Sequence, residues 1–196
     1  GKVTFLSGQL EDSRLEKTIL LKKGDPIDSG SKLNLGDSGT AILNFDAGYE
    51  IKMKPKSRLS FQSDSHSPMV ELHQGGIFTS VQPKKIPKFR IRTRTAVMGV
   101  RGTRFFTSQE ISIDNKSKVW MCVQEGKVEV LNQFTGKETL VSEGLGVSIP
   151  EGEGTSDPAA FSWTKGLNWN FDPAQGDVQD HSNIQNHYSP MRFYYD

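Results

Sequence analysis

The sequence predicts an all-β fold: a solenoid-like or twisted β-roll of many short strands, with an irregular, aromatic-rich C-terminal tail. Short apolar runs alternate with polar residues at a period of two, which is typical of half-buried strands. Turn residues separate these runs, and the 196-residue chain contains 19 Gly and 9 Pro. Helical periodicity is weak, and only residues 10–21 have a pattern that a helix would also satisfy.

The clearest strand pair lies between residues 40 and 53. Residues 40–45 and 49–53 both alternate, and the turn between them contains Gly48, so they predict a hairpin or two adjacent solenoid rungs. A polar residue followed by Gly precedes several strands at irregular spacing, which fits short rungs turned by glycines with positive φ. The further alternating runs are residues 70–73, 77–81, 89–93, 105–107, 111–113, 119–123, 127–131, 139–141 and 146–149.

Composition and charge narrow the class of protein. The formal net charge is +1, so the molecule as a whole has no strong attraction for nucleic acid or other polyanions. No apolar run reaches the roughly 18 residues that a membrane-spanning helix needs. The single cysteine, Cys122, excludes an intrachain disulfide, and its apolar neighbours predict a buried structural thiol.

The sequence contains no recognisable catalytic or metal-binding motif. Nucleophile-elbow, P-loop, zincin and dinucleotide-binding patterns are absent, and the carboxylates are scattered singly. The four histidines, His66, His73, His181 and His187, do not have the spacing of a metal site. We therefore predict no catalytic residues, no metal and no cofactor. An enzyme acting on envelope polysaccharide is the least favoured alternative.

The strongest local feature is a basic stretch between residues 84 and 104, which has eight Lys or Arg residues and no acidic residue. Alternation places Arg90, Arg92 and Arg94 on one face of a strand, about 7 Å apart in succession, and Lys88 precedes them. Such a row suits phosphate, carboxylate or uronate groups. The alternative is that acids on a neighbouring strand, such as Glu71, neutralise it. The four basic residues are our candidate binding residues.

The chain divides into three predicted segments: a β domain at residues 1–150, a polar linker at 151–160 and an aromatic-rich tail at 161–196. The tail has eight aromatic residues without periodicity, and we expect it to dock on the β domain. The alternatives are a partner-binding arm or an interfacial membrane contact. Trp163 and Trp169 are its candidate binding residues.

A family resemblance lies in the same basic stretch. Residues 89–105, FRIRTRTAVMGVRGTRF, resemble the central signature of FecR-type domains, F-x-V-x-T-P-x-A-x-x-x-V-R-G-T-x-F. The most specific positions of this signature are Val100, Arg101, Gly102, Thr103 and Phe105. Other family patterns are resembled at residues 23–25, 29–30, 39–43, 48–51, 125–130 and 143–147. The resemblance covers about residues 1–150.

The resemblance implies a solenoid-like β domain in the bacterial periplasm or cell envelope. The best-known members of the family carry a signal from an outer-membrane transporter to a cytoplasmic sigma factor, through a membrane helix that precedes the domain. A signal or anchor segment upstream of residue 1 is therefore expected. Gly102 predicts a sharp turn, and the signature as a whole predicts a structural role.

Two functions are consistent with these patterns. The first is a non-catalytic envelope binding or scaffold module that contacts a protein partner or an anionic glycan. The second is the periplasmic signal-transducing domain of a transmembrane sigma-factor regulator. No nucleic-acid partner is expected. The sequence leaves the identity of the partner and the oligomeric state open.

Overall fold

The computed structural model describes residues 1–14, 17–64, 67–83, 89–182 and 184, and these form thirteen β-strands. Their bounds are β1 Lys2–Asp12, β2 Ile19–Leu21, β3 Lys32–Phe45, β4 Tyr49–Met53, β5 Arg58–Asp64, β6 Ser67–Val81, β7 Phe89–Arg92, β8 Ala96–Val100, β9 Arg104–Ile111, β10 Ser117–Glu125, β11 Lys127–Asn132, β12 Glu138–Ser142 and β13 Gly146–Pro150.

The hydrogen-bonded strands form two connected sheets. Sheet I has the order β2, β1, β3, β5, β6, β7, β8, β11 and β12. Sheet II has the order β1, β3, β4, β6, β9, β10 and β13. The long strands β1, β3 and β6 belong to both, because one half of each pairs within sheet I and the other half within sheet II.

Glycines lie where the three long strands pass from one sheet to the other. Gly8 in β1 and Gly39 in β3 pair with each other, with φ of 86° and 101°, and the register shifts directly after Gly8. Gly75 in β6 has φ of 86°. Only glycine adopts such angles without strain, so these positions let a continuous strand bend and change sheets.

One large apolar core lies between the inner faces of the two sheets. It contains the inward-pointing residue at every second position, such as Phe105 in β9 and Met121 in β10, both 0% exposed. The residues that alternate with them on sheet II, Phe106 and Cys122, are also buried, but in a second cluster on the outer face. Sheet II is therefore covered on both faces. Cys122 is a buried free thiol, as its apolar neighbours predict.

After β13 the chain runs back along that strand and then crosses sheet II. Ser156 and Ala159 hydrogen-bond with Ser148 and Gly146 of β13. Two short 3-10 helices follow, Ser162–Gly166 and Pro173–Gln175. Within the described part of the chain no helix has the length and apolar character needed to cross a membrane. Tyr188, Phe193, Tyr194 and Tyr195 lie outside the described residues.

The structure confirms the all-β class and the hairpin, since β3 and β4 pair antiparallel across the turn at Gly48. The helical interpretation of residues 10–21 is wrong, because Leu10–Asp12 pair with β2 in an antiparallel ladder. The solenoid arrangement is not confirmed. Only β6 and β7 pair in parallel among the described strands, and the others pair antiparallel, several across long stretches of sequence.

Candidate functional site

The arginine row is shorter than the sequence predicts. Arg90 and Arg92 lie on the outer face of sheet I, but β7 ends at Arg92 and Arg94 lies in the bend before β8. The Arg94 amide donates to the Gln109 side chain at 2.7 Å, and the Arg94 guanidinium pairs with Glu151 at 3.2 Å. These contacts separate Arg94 from the other two arginines. Lys88 lies outside the described residues.

Among the side chains that the structure describes, none forms an ion pair with Arg90 or Arg92. Glu71 stands opposite Arg92 in the parallel β6–β7 ladder, but its carboxylate accepts from Gln62 at 3.4 Å instead. The Nε atoms of Arg90 and Arg92 are buried without a hydrogen-bond acceptor. A buried Nε is not reachable from solvent, so an incoming carboxylate or phosphate would contact the terminal nitrogens of the two guanidinium groups.

Apolar side chains surround the two arginines on the same face. The register places Val97 beside Arg92 and Leu131 beside Val97. In the row that contains Arg90, the residues across the sheet are Gly99, Glu129 and Leu140. Leu131 is 38% exposed and Leu140 is 52% exposed. We call this surface the arginine face; its residues are Arg90, Arg92, Val97, Leu131 and Leu140. Apolar side chains around arginines are typical of protein-binding surfaces.

A second surface is the outer face of sheet II, which the chain covers with its own residues 161–182 and 184. We call this segment the strap. Trp169 packs edge-on against Phe78 with ring centroids 5.1 Å apart. Trp163 is 4% exposed and packs edge-on against Phe106 and Trp120, at 6.2 and 6.4 Å. The two candidate tryptophans thus contact this chain's own sheet.

Three cationic side chains on sheet II hold the strap, and they all bind it through oxygen atoms. The Lys52 ammonium donates to the carbonyls of Asn168 and Asn170 at 2.5 and 2.7 Å. Arg104 donates to the carbonyl of Trp169 at 2.7 Å. The remaining contacts are made by Lys54, which pairs with the buried carboxylate of Asp180 and donates to the carbonyl of Ser182.

Lys52 and Lys54 are not recognisable as binding residues from the sequence, and Arg104 is visible there only as the last residue of the basic stretch. Lys52 and Lys54 occupy the polar positions of an alternating strand, which normally face solvent. Their partners are more than 100 residues away in the chain, 116 for Lys52 and Asn168. A local sequence pattern cannot predict a contact over such a distance in the chain. The burial of Lys52, which is only 1% exposed, was therefore not predicted.

Lys52 predicts a pH dependence of stability. Burial lowers the pKa of its ammonium to about 8, and unfolding returns this pKa to its ordinary value of 10.5. The unfolded chain therefore binds more protons between pH 8 and pH 10.5, so the Lys52 contribution to stability rises with pH through that window. We expect the free energy of unfolding, measured in urea at pH 7.5 and 9.5, to show this added rise in the wild type and not in Lys52→Met.

Other ionisable groups surround Lys52, so the variant is the necessary reference. Asp180 and Asp177 raise the pKa of Lys52, and Arg104 and Lys54 lower it. Burial also raises the pKa of Cys122 to about 12, which opposes the Lys52 effect equally in both proteins. An identical pH response of wild type and variant would contradict the prediction.

The signature residues lie at the junction between β8 and β9. Val100 and Phe105 are buried in the main core, and the carbonyl of Thr103 accepts from the amide of Val81 at 2.9 Å. Gly102 has φ of 66°, and a Cβ there would come within 3.0 Å of Pro83. A side chain at this position would therefore be strained and crowded.

Arg101 is exposed at the same turn. Gly126 packs against Thr103, since a Cβ at Gly126 would lie 2.7 Å from the Thr103 methyl group. The turn after β10 thus rests directly on the signature turn. These contacts explain why the signature has these residues: Val100 and Phe105 pack in the core, and Gly102 permits the backbone conformation of the turn.

The described residues form an all-β domain that has a pair of half-buried arginines on the outer face of sheet I and the strap over the outer face of sheet II. A family model described as FecR protein matches residues 31–129, and the chain belongs to this family. The match includes the whole signature at residues 89–105, so the family prediction is confirmed. No curated protein matches the chain.

Two solved structures share the fold, and each is described as a putative anti-sigma factor from Parabacteroides distasonis. One has a TM-score of 0.55 and 19% sequence identity over 74% of this chain and 69% of that chain. The other has a TM-score of 0.56 and 16% identity over 84% of this chain and 91% of that chain. At such low identity the likeness shows the fold.

Proposed function

We propose that this chain is the signal-transducing domain of an anti-sigma regulator in the bacterial cell envelope, and that it binds a protein partner through the arginine face. Membership of the FecR family and the shared fold of two putative anti-sigma factors support the signalling role. They support it better than the scaffold hypothesis, which the sequence patterns placed first. The proposal assigns no catalytic step to the chain.

The observation that carries the choice of surface is the pair of arginines. Arg90 and Arg92 are half-buried on the outer face of sheet I, and no side chain that the structure describes forms an ion pair with them. Leu131 and Leu140 expose apolar area on the same face, two strands from Arg92 and three strands from Arg90. A partner that presents carboxylates next to apolar side chains would satisfy both features, because buried arginine–carboxylate contacts and apolar anchors supply most of the energy in such interfaces.

Charge reversal tests this proposal. We expect Arg90→Glu with Arg92→Glu to weaken partner binding at least about 100-fold, since unlike charges become like charges at the centre of the interface. We expect the variant to stay folded, because the two side chains are only half-buried and their Nε atoms have no hydrogen-bond acceptor to lose. The melting temperature checks this. The partner is captured from a detergent-treated envelope fraction, identified by mass spectrometry, purified, and titrated against each variant.

Arg101→Glu is the matched control, because Arg101 is exposed and lies outside the arginine face. It should bind the partner like the wild type. Equal binding by the control and the double variant would exclude the arginine face as the contact surface. Lost stability with intact binding would make the arginines structural, and retention of an anionic glycan without a protein would return the scaffold hypothesis to first place.

A further inference from the structure

The strap is organised by its own local hydrogen bonds. The Asn168 side chain donates to the carbonyls of Asp177 and Gln179, both at 2.9 Å. The Asn170 side chain donates to the carbonyl of Asp172 at 3.0 Å and to that of Gly176 at 3.2 Å. These bonds close a compact loop within the strap. Such a loop can detach as one cooperative unit.

The contacts between strap and sheet resemble those between a protein and a bound peptide. Lys52 and Arg104 bind main-chain carbonyls, which any extended or irregular segment can offer. Lys54 binds one carboxylate, that of Asp180, which is 6% exposed. The aromatic rings of the strap fill the spaces between these polar contacts. A segment that occupies this surface therefore needs only free main-chain carbonyls, one acidic residue and aromatic side chains.

Removal of the strap would uncover an unusual surface. Phe78, Phe106 and Trp120 would form an aromatic platform, and the cations that now hold the strap would lie around it. The Lys52 ammonium already stands 4.4 Å from the ring centroid of Phe78. Aromatic platforms edged by cations are the surfaces on which protein segments bind most tightly.

We propose that the outer face of sheet II is a second docking surface, which the strap occupies in cis and which an extended partner segment carrying an acidic and an aromatic residue takes when the strap lifts. The identity of the occupant rests on the proposed function, because it assumes a protein partner. The lifting of the strap does not, since it is a property of this chain alone.

Cys122 reports strap opening without any added label. It is the single cysteine of the chain, it is 2% exposed, and it belongs to the cluster beneath the strap. A thiol reagent such as a maleimide reaches it only when the strap lifts or the whole domain unfolds. We expect labelling of the full chain to be faster than global unfolding, while hydrogen exchange shows that the amides of β9 and β10 stay protected.

Asp180→Asn should raise this labelling rate at least about tenfold, because it removes the charged partner of Lys54 with almost no change in shape. Asp46→Asn is the control, since Asp46 is exposed in the β3–β4 turn and lies away from the strap. A labelling rate equal to the global unfolding rate in every variant would overturn the proposal, because the strap would then be a fixed part of the core.

The second arm uses a synthetic peptide with the sequence of residues 161–184, added in trans to the full chain. Its apparent affinity should be higher for Asp180→Asn than for the wild type by the same factor as the labelling rate, since it binds only the open population. If Cys122 labelling shows that the strap of a variant opens and the peptide still does not bind that variant, the outer face of sheet II is not a docking surface. The double variant Arg90→Glu with Arg92→Glu should change neither the Cys122 labelling rate nor the affinity for the peptide. A failure of the strap proposal can therefore be told apart from a failure of the proposed function.

Discussion

Gly39→Ala is expected to destabilise the domain by at least about 3 kcal/mol or to prevent folding. Gly39 has φ of 101° where β3 passes between the two sheets. A Cβ at this position would lie 1.9 Å from the carbonyl oxygen of Ser7 and 2.6 Å from its carbonyl carbon. These are backbone atoms of a paired strand, so they cannot move aside without opening the β1–β3 ladder. Urea denaturation of the purified variant measures the loss.

Gly24→Ala separates the clash from the backbone strain. Gly24 has a similar φ of 97°, but a Cβ there would meet nothing within 4 Å. Its cost should therefore be only the conformational strain, about 1–2 kcal/mol. Equal losses in the two variants would show that the close approach of β1 and β3 contributes nothing to the choice of glycine.

Phe105→Ala should cost about 3–5 kcal/mol, the range for deleting a buried aromatic side chain. Phe105 is 0% exposed and points into the core that both sheets share. The surrounding strands are hydrogen-bonded on both sides, since β9 pairs with β6 and β10. They cannot collapse into the cavity, so the full cavity penalty remains. Chemical denaturation, with an unchanged m-value as a check of two-state unfolding, measures it.

Phe106→Ala is the natural comparison, because Phe106 is the next residue, has the same side chain and is also 0% exposed. It faces the strap on the opposite side of sheet II. Its loss can cost no more than the free energy with which the strap is docked, because the strap can lift and remove the cavity. We expect a smaller global loss than for Phe105→Ala, together with faster labelling of Cys122. A larger loss than for Phe105→Ala would make the strap part of the main folding unit.

The candidate site was predictable in part. Alternation placed Arg90 and Arg92 on one face, and the structure agrees. Arg94 was included because alternation continued past the end of the pairing, but β7 ends at Arg92. Its ion pair with Glu151 and hydrogen bond with Gln109 come from distant segments, and these contacts turn the chain out of the strand. The limit of a strand is set by its neighbours as well as by its own sequence.

The sequence by itself determined the all-β class, most of the strands from β3 onward, the family and the burial of Cys122, although the predicted runs do not include β1, β2, β5 and β8. These depend on alternation, turn residues and a local signature, and each of these signals is contained in a short stretch of the chain. The tertiary structure alone decided the pairing into two sheets, the bends at Gly8 and Gly39, and the burial of Lys52 beneath the strap. Such features arise when segments far apart in the chain meet, because pairing partners and buried ion contacts are chosen by the whole core and not by the residues beside them.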